Sequence, residues 1–119
     1  MHTRDLTKSQ RRKLRDLAGL AHDRELSAEL AKLEDAFRRW RADEIDPHEL
    51  NDLIHAFHQG PSRRLFVHYT NSDSTTPVAA AVARGVIADS ELPEDILSLL
   101  RSDIAFFRDE LERDTDAQP

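Results

Sequence analysis

Residues 7–46 contain no proline and a single glycine, Gly19, while apolar residues return every three or four positions. Such spacing marks one face of an α-helix, and nothing in the stretch forces that helix to stop. The chain is therefore expected to open on one long helix. Thr7 and Gln10 mark its start as a capping box, in which the Thr side chain accepts from the Gln amide and the Gln side chain reaches back.

Two apolar stripes lie along this helix. Leu14, Leu17, Ala18 and Ala21 form the first. Leu26, Leu30, Leu33, Phe37 and Trp40 form the second, with the 4-3-4-3 spacing of a coiled coil over barely two heptads. At 100° per residue the second stripe is turned by roughly 120° from the first. Either the helix breaks near Gly19–Asp23, or one long, bent helix packs against different partners at its two ends. The absence of proline favours the second reading.

Further along, Asp46-Pro47-His48-Glu49 is a strong helix start, with Asp46 as the cap, Pro47 at the first position and Glu49 completing a box. Leu50, Leu53, Ile54 and Phe57 then form a core stripe. Gly60-Pro61 is expected to end that helix, with Gly60 in the left-handed cap position, and Pro61 or Ser62 to start another carrying Leu65, Phe66 and Tyr69. Thr76-Pro77 opens a short helix closed by Gly85. A last helix after Pro93 buries Ile96, Leu100, Ile104, Phe107 and Leu111. The expected fold is all-α: a single-domain bundle of about five helices over residues 1–119, with frayed ends at 1–6 and 114–119.

Composition agrees with helix. Leucine (15) and alanine (14) supply most apolar residues, valine and isoleucine together give nine, and glycine plus proline give eight. That mix disfavours a sandwich, a barrel or a Gly-rich nucleotide fold. Without cysteine, disulfides, Cys-zinc sites and thiol catalysis are excluded. No apolar run approaches the ~20 residues of a membrane span, so no membrane partner is expected. The charged first residues lack an apolar signal region, and the expected location is the cytoplasm. No Gly-rich phosphate loop, H-E-x-x-H or G-x-S-x-G motif is present, so no cofactor and no catalytic residue is assigned.

Charge is unevenly spread. The net charge is −6, yet residues 1–20 carry a net +4. Lys8, Arg11, Arg12 and Arg15 share one helical face, as a phosphate-binding stripe would, although no aromatic residue is interleaved. The plainer reading pairs them with acid, such as the C-terminal run of Asp109, Glu110, Glu112, Asp114 and Asp116. His48, Asp52 and His55 also share one face and are candidate metal ligands. Their plainer role is a solvated surface opposite the core. His55, His58, Ser62, Arg63 and Arg64 are a candidate anion site, because a helix starting at Ser62 would offer free amides beside two cations. Its plainer reading is an ordinary helix start. Leu26, Leu30, Leu33, Phe37 and Trp40 are the candidate interface, since a long amphipathic helix often needs a partner and a large aromatic residue is a common anchor.

The segment from Trp40 to Tyr69 resembles small bacterial helical proteins of no assigned function. The residues that carry the likeness are Trp40-Arg41, Glu44-Ile45-Asp46, Glu49-Leu50, Ile54-His55, Phe57-His58, Gly60-Pro61, Arg63 and Tyr69. The resemblance implies a bacterial, cytosolic origin and brings no catalytic role. The preferred functional expectation is a non-enzymatic interaction protein that associates with itself or with another protein. The alternatives are a nucleic-acid-associated regulator using the basic N-terminal helix, and a small anion- or metal-binding enzyme around His55, His58, Ser62 and Arg64.

Overall fold

A computed structural model describes residues 5–70 and 73–117. These form helices joined by short turns, with no strand among them. Helix α1 (Lys8–Arg41) is unbroken through Gly19. Its start is the expected box: the Gln10 amide donates to Thr7 Oγ1 at 3.0 Å, and the Thr7 amide donates to Gln10 Oε1 at 3.0 Å. Its end is a Schellman motif, in which the Glu44 amide returns to the Arg39 carbonyl at 2.8 Å and the Asp43 amide to that of Trp40 at 3.1 Å. Asp43 takes the left-handed conformation there, at φ 59°, where glycine is the usual residue.

α2 (Pro47–Phe57) begins at the Asp46 cap. It does not end at Gly60-Pro61. A π-helical turn (His58–Ser62) carries the chain directly into α3 (Arg63–Thr70). Pro61 has no N–H and its ring collides with the carbonyl four residues back in a regular α-helix. The wider π turn absorbs both defects without breaking the rod. α4 (Thr75–Ala83) and α5 (Glu94–Ala117) follow, joined through a 3-10 turn (Asp89–Glu91). With α2 and α3 merged, the expected five helices become four continuous rods. The start of α4 is earlier than Thr76-Pro77, because the Asp73 carboxylate accepts from the Thr75 amide at 3.0 Å and from its hydroxyl. Of the ends expected to fray, residues 1–4 and 118–119 lie outside the described residues, Asp5 and Leu6 precede α1, and 114–117 are helix instead, because α5 continues to Ala117.

The chain divides into two compact units. The described residues up to Ala21 and from Asp73 onward form the first. Its centre is α4, in which Thr75 and Pro77 to Val82 are all buried. Helices apolar on every side are core helices, and this one is rich in alanine, which lets neighbours approach closely. Around it the α1 residues Leu14, Leu17, Ala18 and Ala21 and the α5 residues Ile96, Leu100 and Ile104 are buried. Phe107 is half-buried, and Leu111 is exposed rather than part of the core. Lys13 Nζ holds Asp95 Oδ2 at 3.3 Å across the α1 and α5 segments of this unit.

The second unit, His22 to Thr70, is a helical hairpin. Its turn is fixed by two devices at one place. The Glu49 amide donates to Asp46 Oδ1 at 2.8 Å and the Asp46 amide donates to Glu49 Oε1 at 3.3 Å. Ile45, just before the cap, and Leu50, four residues into the helix, are both buried in one cluster with Ala36. That is a hydrophobic staple on a capping box.

Candidate interaction surface

Within the hairpin, α1 presents a mixed face to α2 and α3, polar toward His22 and apolar toward Ala36. The line it presents is His22, Glu25, Glu29, Lys32 and Ala36, itself spaced at three and four residues. Tyr69 is buried, donates its hydroxyl to Glu25 Oε2 at 2.5 Å, and stacks on His22 with ring centroids 5.3 Å apart. His68 sets its edge against the same ring at 4.6 Å. Glu29, Lys32, Leu33 and Ala36 line a shallow dent with Leu53, Ala56, Phe57 and Pro61. At 100° per residue this line is turned by roughly 80° from the Leu26–Trp40 stripe.

The stripe is partly in the hairpin contact: Leu33 lines the dent, and Phe37 packs against the Ala36, Ile45 and Leu50 cluster. None of its five residues is buried: Leu30 is 46% exposed, Trp40 is 37% exposed, and Leu26, Leu33 and Phe37 are half-buried. Trp40 meets Phe37 edge-on at 6.4 Å. On the side away from α2, an open groove of about 470 Å³ runs along Leu30, Leu33, Glu34, Phe37, Arg38 and Arg41. Arg38 is anchored at its rim, with Nη2 on Asp35 Oδ1 at 2.8 Å and Nη1 3.8 Å from Glu44 Oε2. The hydrogen bond from Asp35 first, and its charge second, raise the guanidinium pKa, so this rim cation keeps its charge.

The expected α2 core stripe is only partly a core. Leu50 is buried, Phe57 is half-buried, and Leu53 and Ile54 are exposed. Phe66, 60% exposed, and Val67 add apolar surface on α3.

The other candidate sites fare differently. Lys8, Arg11, Arg12 and Arg15 are exposed along α1 in the first unit, and none pairs with another described residue. The expected pairing with the C-terminal acids is absent among the described residues; Glu110 pairs instead with Arg113 at 3.2 Å. His48, Asp52 and His55 are exposed on α2, and no group of three or more His, Asp or Glu among the described residues is arranged to hold a metal ion. The anion site loses its basis. No helix begins at Ser62, so the free amides it required do not exist. His55, His58, Arg63 and Arg64 are exposed and Ser62 half-buried, with no described hydrogen bond joining any two.

Comparison of the chain with protein-family profiles, with curated proteins and with solved structures finds no match. The likeness seen over Trp40–Tyr69 gains no support from them. No helix among the described residues is long and apolar enough to cross a membrane.

The Tyr69–Glu25–His22 contact was not foreseen in the sequence. Its partners lie 44 residues apart and follow no local rule.

Proposed function

We propose that this chain is a non-enzymatic protein–protein interaction module of the bacterial cytoplasm, which associates with itself through the Leu26–Trp40 face of α1. The observation that supports the reading is a heptad stripe in which Leu30 and Trp40 stay exposed and Leu26, Leu33 and Phe37 are only half-buried, although Leu33 and Phe37 touch the hairpin contact. Apolar side chains at coiled-coil spacing gain most from a second helix laid along them. The additional exposure of Leu53, Ile54, Phe66 and Val67 on the same unit supports an apolar surface wider than one helix.

Light scattering after size exclusion tests this directly. The wild type is expected at a multiple of 13.6 kDa. Phe37→Ala with Trp40→Ala is expected to reduce the mass to that of one chain, with helical circular dichroism and a cooperative melt retained. A wild-type monomer at tens of micromolar, or a variant that unfolds while the assembly of the folded fraction is unchanged, refutes the reading.

A second reading rests on the unpaired stripe Lys8, Arg11, Arg12 and Arg15, which fits a phosphate backbone. It requires a raised 260 nm absorbance in protein purified without nuclease, lost at high salt. Arg11→Ala with Arg12→Ala should flatten the salt dependence.

A further inference from the structure

We infer that the stripe of Lys8, Arg11, Arg12 and Arg15 binds the backbone of double-stranded DNA without regard to base sequence. This rests on the nucleic-acid reading given second above and names the form of nucleic acid it takes. The four side chains are exposed, and none pairs with another described residue. At 100° per residue they occupy about 100° of the helix surface. Their centre is turned by about 120° from the buried Leu14, Leu17, Ala18 and Ala21, so packing of the first unit leaves them outward. Lys13, the remaining cation of this stretch, points away from the stripe and is held by Asp95 at 3.3 Å.

Four free cations on a chain of net charge −6 need a partner of high charge density, because the field of the whole chain repels anions. A DNA duplex carries one charge per ~1.7 Å of its axis. Its backbone is also narrow. Asp16 is exposed and borders the stripe one turn beyond Arg12, and a ridge of phosphates can meet the cations while leaving that carboxylate clear. A flat anionic membrane would press on Asp16 as well, and it would find no apolar foothold beside the stripe. Leu14 and Leu17 are buried, and Leu20 is half-buried and turned by about 130° from the cations.

The stripe suits two strands better than one. Lys8 and Arg15 stand about 10 Å apart along the axis of a rigid helix. The major groove of B-DNA is about 12 Å wide, so the two ends of the stripe reach phosphates of both strands. A single strand offers one flexible row of phosphates, and proteins hold it largely by stacking its bases on aromatic rings. Residues 5–21 contain no aromatic residue. Base sequence has no dedicated reader here either. Residues 5–21 contain no asparagine, and their one glutamine, Gln10, is closed into the capping box with Thr7. Contacts from lysine and arginine to phosphate carry no sequence information.

Fluorescence anisotropy on the full chain tests this, with short labelled duplexes of two unrelated sequences and a single strand of one of them, between about 50 and 200 mM salt. The two duplexes are expected to bind equally, and the single strand more weakly. Four phosphate contacts give a slope of log affinity against log salt of about −3.6. Arg11→Ala with Arg12→Ala is expected to halve it to about −1.8. Lys13→Gln removes a cation from the far side of the same helix and is expected to leave the slope unchanged. A single strand bound as tightly as the duplex, or a reproducible preference between the two sequences, overturns this inference and leaves the nucleic-acid reading standing. A slope that falls as much in Lys13→Gln as in the arginine variant overturns the assignment to the stripe. Binding to neither form, or displacement of the duplex by polyglutamate or phosphatidylserine vesicles at equal charge concentration, overturns the nucleic-acid reading and this inference with it.

Discussion

Removing the Asp46 carboxylate should loosen the hairpin that presents the candidate face, and by a calculable amount. In Asp46→Ala the Glu49 amide loses its acceptor at 2.8 Å. The Glu49 side chain loses the reciprocal geometry that holds it on the Asp46 amide at 3.3 Å. Loss of an N-cap side chain costs about 1 kcal/mol, within a range of roughly 0.5–2. The upper half applies here, because the cap also positions Ile45 and Leu50, which are 6% exposed each and pack on Ala36. The assay is urea unfolding followed by circular dichroism, with Asp46→Asn as the control, since asparagine caps as well as aspartate. The expected result is a midpoint lowered in Asp46→Ala by an amount equivalent to about 1–2 kcal/mol, and nearly unchanged in Asp46→Asn. An Asp46→Ala midpoint within error of wild type would mean the box does not stabilise the fold. Equal losses in both variants would mean that charge, not capping, is the source. Either result refutes the reasoning.

Other consequences are more local. Leu100 is fully buried in the first unit, so Leu100→Ala should cost about 2–5 kcal/mol in the same urea assay. Gly85 has φ 81° with open space around the position a Cβ would take, so Gly85→Ala should cost about 1–2 kcal/mol from backbone strain alone. Conversely, Asp43→Gly should raise stability by up to about 1 kcal/mol, because residue 43 already has φ 59°. Asp95 feels burial, which pushes its carboxyl upward, but the Lys13 hydrogen bond and charge, with help from the Ile96 and Gln10 donors, outweigh it and leave its pKa below the ordinary 3.8. Its contribution to stability should be present above pH 3.8 and fade as pH falls through the lowered folded value, so the wild-type and Asp95→Asn midpoints should converge only in strong acid.

What the sequence made legible was mostly local. The Thr7–Gln10 and Asp46–Glu49 boxes are decided within four residues, as is the Gly85 cap, where the Val86 amide returns to the Ala81 carbonyl at 2.9 Å. Gly60-Pro61 misled for the same reason. Local preference reads that pair as a stop, but a π turn accommodates the proline and carries the helix on. Asp43 was hidden because it occupies a position that glycine usually advertises. For the candidate face, periodicity identified which side chains share a side of α1. It could not say whether another part of the chain covers them, because a core and an interface select the same residues. Leu53 and Ile54, read as core, show the same gap.

α1 carries its two apolar stripes without a break. Leu14, Leu17, Ala18 and Ala21 are buried, which fixes the rotation of the helix about its own axis. An unbroken helix carries that rotation forward at 100° per residue, and the Leu26–Trp40 stripe is turned by roughly 120° from those residues. The two stripes therefore leave the helix axis in different directions. A break near Gly19 would have released the constraint, and none occurs. The hairpin accordingly uses the line from His22 to Ala36. It satisfies the polar members there with Tyr69 and closes the far end with Ala36 against Ile45 and Leu50. Leu30 and Trp40 are the members of the stripe left most exposed, and they are the ones that a second helix would cover under the proposed self-association.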